Sequence, residues 1–475
     1  MKNLFPLLLF LFLFGCQKTS QDTDGVATPQ MTSDEMLQTL GEIYLYGYPL
    51  VLTDLTQKRI TGVEKPDKDR PLAPINQLGH YRKFPDPTTR TVVKPNVDTY
   101  YSISWFDLSS EPQWLTIPAT ERYYVMQFLD AFSNVIGSVG PRTTGKERQQ
   151  VLIAGQNWEG TVPDSVTLIR SSTDVAWLLG RIQVNSVEDG ATTVRAIQDG
   201  MRLRPFSQRN NENYQPPLGK AQPDDRKITP VQMMQDMGTD EYLNYLAELL
   251  VKNPPAAADS AMVEKMKAVG LEPGKPFALT SDNLMLKLKM KAIPGVVHQK
   301  FNERRSAPPA HRIKDNWLYM TDSIGDYGTD YRFRAYIAYI GFGANLPVDA
   351  VYPNTSLDSE GRPLDGKHNY KFHFAADQLP PVNAFWSLTA YNAEEFLIEN
   401  EMDRYAVGDR SDLEYNADGS LDIYLQHERP AADKLQNWLP IVEEGKFYLT
   451  LRLYWPKAEV LNGMWELPKV ERLEK

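Results

Sequence analysis

The 475-residue chain has one cysteine, Cys16. A lone thiol cannot close an internal disulfide, so no disulfide framework holds the fold together. Histidines are few and scattered, six in all. The nearest pair, His368 and His373, lies five apart where a strand is expected, which sends the rings to opposite faces. No metal site and no cofactor is expected. The sequence also lacks a G-x-S-x-G elbow, which leaves nucleophile-elbow hydrolases without support. Long runs of like charge are missing too. With 51 Lys and Arg against 61 Asp and Glu, the net charge of -10 is spread thinly, and a nucleic-acid surface is not expected.

One apparent nucleotide motif dissolves on inspection. Gly140, Gly145 and Lys146 in "GPRTTGKE" have P-loop spacing, but a P-loop needs Ser or Thr after the lysine and a helix beyond it. Glu147 stands there instead, and the strand-like "VLIAG" follows within a few residues. A loop between two strands is expected, with no nucleotide.

The remaining composition, 42% hydrophobic and 24% charged, is that of a globular protein large enough for two or three domains. Its longest apolar run is at the start. Lys2, the stretch Leu4 to Phe14 and then "LFGCQ" have the layout of a secretory signal, too short to span a bilayer. Residues 1–15 resemble a bacterial lipoprotein signal, with Leu13, Phe14, Gly15 and Cys16 filling the lipobox. Phe14 is bulkier than the usual residue there. The resemblance implies an acylated Cys16 (palmitate among the chains) and a membrane-anchored envelope protein. Gln17 in place of Asp implies the outer membrane. Several acyl chains hold a protein stably where one does not. Residues 16–32, polar and aperiodic, read as a tether.

From the tether onward the expected class is α+β and β-rich. A capping box at Thr32 and Glu35 opens an N-terminal helix over 33–65, with Pro49 expected to kink or interrupt it. Over 66–200, after a proline-rich connector, short β-branched and aromatic runs separated by Pro, Gly, Asn and Asp predict a β-sandwich: "RTVVKP", "TYYSISWFDL", "QWLTIP", "RYYVMQFLDA", "QQVLIAG", "SVTLIRS" and "AWLLGRIQV". Residues 201–345 change to a helical period, opening at Thr229 and Pro230. Strands return over 346–475, where "NADGS" marks a hairpin.

The two β regions show a weak echo. "YSISWFD" leads through Pro118 to "YYVMQFLDA", and "YKFHFAAD" leads through Pro381 to "FWSLTAYNA". Asp130-Ala131 then matches Asn392-Ala393, and Arg142 and Arg404 each lie twelve residues further on. A duplication is expected, with matching loops lining a shared cleft.

Several of these strings carry a family resemblance. "KPNVDTYYSISWFDL", "RYYVMQFLDAFSNVIGSVGPRTTG" and "VLIAG" resemble the domain of unknown function 1254. "DGKHNYKFHFAADQLPPVNAFWSLTAYN", "NADGSLDIYLQ", "NWLPI" and "FYLTLRLYWP" resemble its usual partner, the domain of unknown function 1214. The resemblance implies two antiparallel, jelly-roll-like sandwiches joined by helices, and no agreed reaction.

Candidate functional residues come from polar strings near strand ends. Asp98 and Asp130 are candidate acid and base, with Arg142 or Arg404 to orient an anionic group. A glycosidase pair requires carboxyls about 5 to 9.5 Å apart. Asn96, Tyr100, Tyr101, Trp386, Tyr391, Asn392, Tyr405, Asn437 and Trp438 are candidate ligand contacts, because such side chains suit saccharides and amphipathic ligands. Each also has a structural role open to it: turn capping for Asn, Asp and Thr, core filling for Trp386, an ion pair for Arg404. Two functions follow. The first is a lipoprotein that binds a saccharide or other polar or amphipathic small molecule between two sandwiches; the second is a cofactor-independent hydrolase or lyase acting on a glycan. Convergence of Asp98, Asp130 and an arginine separates them.

Overall fold

The computed structural model describes residues 31–90, 92–222 and 228–474. The leader, Cys16 and most of the tether lie outside them. The chain opens with α1 (Ser33–Thr61), followed by β1 (Gly79–His80), β2 (Thr99–Asp107), β3 (Gln113–Ile117), β4 (Tyr124–Asp130), β5 (Val135–Val139), β6 (Gln149–Ala154), β7 (Thr167–Arg170), β8 (Val175–Gln183), α2 (Val187–Asp189), α3 (Arg195–Gly200) and β9 (Arg202–Pro205). The middle holds α4 (Pro230–Asp236), α5 (Thr239–Lys252), α6 (Ser260–Ala268), α7 (Leu284–Met290), α8 (Ile293–Ser306), β10 (Ile313–Lys314), β11 (Trp317–Leu318) and α9 (Tyr331–Gly341). The last part runs through β12 (Ala350–Val351), β13 (Asn354–Thr355), β14 (Tyr370–Phe374), β15 (Val382–Tyr391), β16 (Ala406–Gly408), β17 (Leu421–Gln426), β18 (Trp438–Pro440), β19 (Tyr448–Pro456), α10 (Ala458–Leu461) and β20 (Lys469–Arg472).

The capping box forms as expected: the Thr32 hydroxyl accepts from the Glu35 N–H, and the Glu35 carboxylate accepts from the Thr32 N–H at 2.7 Å. Pro49 does not break α1. From Tyr46 to Thr53 every residue is buried, so neighbours on all sides hold the turn that lacks one hydrogen bond. Gly47 permits the closest approach, since a Cβ there would lie 2.6 Å from Leu246 of α5. Helices α4 to α9 surround α1, and Tyr44, Leu243, Val297 and Phe333 share one core with it. The N-terminal helix is therefore the axis of the helical layer.

Two sandwiches flank that layer. In the first, a β1-β2-β8-β4-β5 sheet faces a β7-β6-β3-β9 sheet across a core containing Phe106, Leu115, Met126, Phe128 and Val151. In the second, a sheet ordered β10-β11-β13-β19-β15-β16 faces β18-β17-β14-β20 across Phe372, Trp386, Leu388, Leu421 and Leu451. The fold is mixed α+β, as expected. Three local expectations fail. "NADGS" is a turn on the way from β16 to β17, which lie in different sheets, and closes no hairpin. "RTVVKP" forms no strand among its described residues, and "VIGSV", passed over because its glycine and serine dilute the β signal, is β5.

The strand orders coincide. Strands β2, β3, β4, β5, β6, β7, β8 and β9 occupy the places of β13, β14, β15, β16, β17, β18, β19 and β20, including the parallel pairs β6·β7 and β17·β18. Even the turn after β4 recurs after β15. The Asp130 carboxylate accepts from the N–H groups of Phe132 and Asn134, and the Asn392 amide oxygen accepts from those of Glu394 and Phe396. Ser133 and Glu395 then take left-handed φ values of 65° and 66°. The two sandwiches are copies of one unit.

Register corrects the details of the expected repeat. Strand β14 corresponds to β3, not to β2, so "YKFHFAAD" pairs with "QWLTI" rather than with "YSISWFD". Met126 faces Val139 and Leu388 faces Val407, which makes Gly140 the counterpart of Gly408 and Arg142 the counterpart of Arg410. Arg404, before β16, is not its equivalent. The P-loop-like string is a loop: β6 begins at Gln149 with no helix between, and Lys146 pairs with Glu121 at 2.6 Å.

A candidate ligand site at the junction of the sandwiches

Because Thr99 faces Gln183 in β8 while Ala350 faces Tyr454 in β19, Asp98 and Asp349 occupy equivalent positions. Each is gripped by the arginine of the other copy. The Arg142 Nε and Nη2 donate to both Asp349 oxygens at 2.6 and 3.0 Å. Arg410 donates to the Asp98 carboxylate, which also accepts from the Ser387 hydroxyl at 2.7 Å. Reciprocal contacts of this kind define a local two-fold relation between the sandwiches. The rings of Tyr123 and Phe385, themselves counterparts, meet across it with centroids 5.9 Å apart.

Between the two ion pairs lies a second matched set. Arg181 and Arg452 are equivalent, as are Tyr101 and Tyr352, by the same registers. Strand alternation turns all four side chains away from the sandwich cores. Arg181 lies over the Tyr101 ring and Arg452 over the Tyr352 ring, at 5.4 and 5.8 Å. Each guanidinium also reaches across the junction: Arg181 donates to the Gly343 carbonyl at 3.0 Å, Arg452 to the Lys94 carbonyl at 3.1 Å. Tyr391 accepts from Arg452 at 2.6 Å and donates to the Pro95 carbonyl. The Asn96 amide donates to the hydroxyls of Tyr101 and Tyr454, and Asn345 donates to that of Tyr352.

The electrostatics are lopsided. Arg181 and Arg452 are 6% and 4% exposed. Among the described residues, neither has a carboxylate within 4.0 Å, whereas Arg142 and Arg410 do. Burial raises the phenol of Tyr352 to about 12 and pushes those of Tyr391 and Tyr454 up as well. These hydroxyls stay neutral at physiological pH and supply no counter-charge. The Nε of Arg181 and the Oδ1 of nearby Asn345 are buried without a partner. Asp98 favours the charge of Arg452 from beyond salt-bridge distance, whereas tyrosines are what favour the charge of Arg181; a buried charge without a close counter-charge is costly. Beside this cluster an open depression of about 430 Å³ is lined by Thr120, Glu121, Arg122, Tyr123, Gln183 and Thr193. Tyr123 belongs to both, lining the depression and packing on Phe385 and Tyr454.

The structure thus gathers Asn96, Asp98, Tyr101, Tyr391 and, in the ion pairs, Arg142 at one junction. It leaves the others elsewhere. Asp130 stands level with Phe106, at the far end of the strands from Thr99. At ~3.3 Å per residue it is more than about 20 Å from Asp98, too far for an acid and base pair. Tyr100 and Trp386 fill the sandwich cores. Asn392 caps its turn. Arg404 donates to the carbonyls of Leu435 and Trp438 rather than to an Asp, so it clamps a loop. Tyr405 donates to Asp403, Asn437 ties Glu414 to Asp422, and the indole of buried Trp438 donates to the Gln426 carbonyl. Sequence reading missed Arg181, Arg410, Arg452, Tyr352 and Tyr454. An arginine inside a strand of otherwise apolar residues, as in "WLLGRIQ" and "LTLRLYW", was the signal available for two of them.

Family models match at two places: the protein of unknown function DUF1254 over residues 75–205, and the protein of unknown function DUF1214 over residues 349–458. The first span covers the first sandwich, and the second covers β12 to β19 of the second, leaving β10, β11 and β20 outside it. Among solved structures, the VPA0106 protein from Vibrio parahaemolyticus is 24% identical over 92% of this chain and 100% of its own, with a TM-score of 0.67. That likeness establishes the shared fold. An uncharacterized protein from Burkholderia cenocepacia is 11% identical over 93% of this chain and 94% of its own, at a TM-score of 0.40. No curated protein matches the chain.

Proposed function

We propose that this chain, whose two sandwiches match DUF1254 and DUF1214 in that order, is a binding protein of the cell envelope. In this reading it is anchored through a lipidated Cys16 and takes an anionic, hydroxyl-rich ligand of the acidic-saccharide class where the sandwiches meet. One observation carries the choice of ligand: two buried guanidiniums on the local two-fold, Arg181 and Arg452, lack a carboxylate partner. A ligand carboxylate or sulfate would supply the missing charge through bidentate hydrogen bonds. Its hydroxyls would exchange hydrogen bonds with Tyr101, Tyr352 and Asn345, and its ring faces suit aromatic side chains. The separation of Asp98 from Asp130 removes the carboxylate pair on which the glycan hydrolase or lyase reading rested. Among the described residues, no helix is long and apolar enough to cross a membrane.

Calorimetric titration with uronate oligosaccharides and their neutral counterparts tests the ligand class. Binding of the uronates alone, lost by at least about tenfold in Arg181→Met, is the expected result, since hydrogen bonds to charged groups contribute about 1.5–3 kcal/mol. Equal binding of neutral sugars, or no effect of Arg181→Met, would overturn it. Intact mass of the mature N-terminus, with Cys16→Ser beside it, tests anchoring; an unmodified cysteine would end that reading.

A further inference from the structure

Helix α7 has its apolar residues on both faces. Leu286 and Met290, each 1% exposed, point into the helical core, and the Thr239 hydroxyl donates to the Met290 carbonyl at 2.7 Å. At 100° per residue the opposite face carries Leu284 and Leu288 at its centre. Met285 and Lys289 flank them on one side, Lys287 and Lys291 on the other. Leu284, Met285 and Leu288 are 71%, 60% and 52% exposed. A soluble helix puts polar residues on such a face. Here bulky apolar side chains stand in a ring of lysines.

The position of α7 says what covers this face. The Asn283 amide, which caps α7, donates to the Ser33 hydroxyl at 2.9 Å, and Lys289 reaches Asp34 at 3.5 Å. The strip therefore sits beside the point where the chain enters α1 from the expected tether. Residues 17–32 span at most about 55 Å at full extension. A lipid at Cys16 would hold α7 within that reach of a bilayer, at high effective concentration. The charge is suitable as well. Lys287 and Lys289 make only loose, solvent-exposed pairs, with Asp282 and Asp34 at 3.4 and 3.5 Å, of a kind easily exchanged for lipid phosphates. The chain as a whole carries -10, so a basic face is the one an anionic surface would accept.

We propose that the outward face of α7, with Leu284, Met285 and Leu288 among Lys287, Lys289 and Lys291, is a second membrane contact that lies on the anionic lipid surface to which Cys16 anchors the chain. The proposal rests on the anchoring reading for its orientation. Leucines enter the interface between headgroups and acyl chains while lysines meet phosphates, which adds to the hold of the acyl chains and orients the protein on the surface.

The test uses residues 17–475, which contain every described element and no acylation site. Co-sedimentation with phosphatidylethanolamine–phosphatidylglycerol vesicles is expected to exceed that with phosphatidylcholine vesicles. The pair Leu284→Ser and Leu288→Ser should lower the partition coefficient about tenfold, because interfacial binding scales with buried apolar area. Lys287→Glu with Lys291→Glu should abolish only the preference for phosphatidylglycerol. Both pairs change exposed positions, and unaltered melting would show that the fold is intact. Equal partition of wild type and the serine variant would overturn the proposal, as would a dimer of the wild type that the serine variant loses. Lipidation is read separately from the mass of the full chain, so failure of α7 and failure of the anchor give different results.

Discussion

The two sandwiches have the same strand order, the same turn after β4 and β15 and the same grip on each other, yet their outer faces differ. On the first, Trp105 and Trp177 stack at 4.8 Å and Phe342 lies on Trp177, so the face is a floor for the helical layer. On the second, the positions equivalent to Trp105 and Trp177 are Ser356 and Tyr448, and the long β2 is replaced by the short β12 and β13. Only near the local two-fold do the faces match: Asp with Asp, Arg with Arg, Tyr with Tyr. Matched residues there meet one another, which constrains both copies at once, whereas the rest of each face answers to a different neighbour.

The largest test of this comparison removes the reciprocal clamps. Arg410→Ala leaves Asp98, 1% exposed, without its counter-charge, and a loss of about 3–5 kcal/mol in urea unfolding is expected. Arg142→Ala should cost somewhat less, about 2–3 kcal/mol, because Arg142 is the more exposed partner at 23% against 16%. A negligible effect of Arg142→Ala would show that the symmetry is one of geometry and not of stability.

Smaller effects probe the matched turns. Asp130→Ala removes the acceptor for two backbone N–H groups and should destabilise by about 2 kcal/mol, with Asn392→Ala costing about 1 because its turn is more open to water. Asp130→Asn should stay within about 1 kcal/mol of wild type, since an amide oxygen does this job after β15 and burial already pushes the Asp130 carboxyl up. A large loss in Asp130→Asn would instead give weight to the charge of nearby Arg334.

The smallest expected effect depends on pH and has no counterpart in the first copy. Asp409 adjoins Arg410, where the first copy has Pro141. Burial raises its carboxyl to about 6 from an ordinary 3.8. The folded state thus takes up a proton between those values. The stabilisation is complete below the lower one and is lost as pH rises through about 6. Asp409→Asn should therefore stabilise by about 1 kcal/mol at pH well above 6 and by nothing near pH 4, as read from paired melting curves.

Much of the fold was legible because it is written locally. Capping at Thr32 and Thr229, the period-2 strands and the acid or amide closing β4 and β15 all act within a few residues. Pro49 misled because packing around α1 outweighs one missing hydrogen bond. The site was less legible. Asp98 stood out by its string, but its partner Arg410 lay unremarked in a polar loop. The twelve-residue spacing pointed to Arg404 because the loops of the two copies differ in length: 262 residues separate Asp130 from Asn392, whereas 268 separate Arg142 from Arg410.

What the sequence determined by itself is the set of elements, their buried faces and the family. These rest on backbone propensity and short-range pattern. Tertiary structure decided which charges meet. Asp98 and Arg410 are 312 residues apart, and Arg181 and Arg452 come together only when the second sandwich turns about the local two-fold onto the first. No periodicity along a chain records such a meeting, because a charge is satisfied through space and not along the sequence.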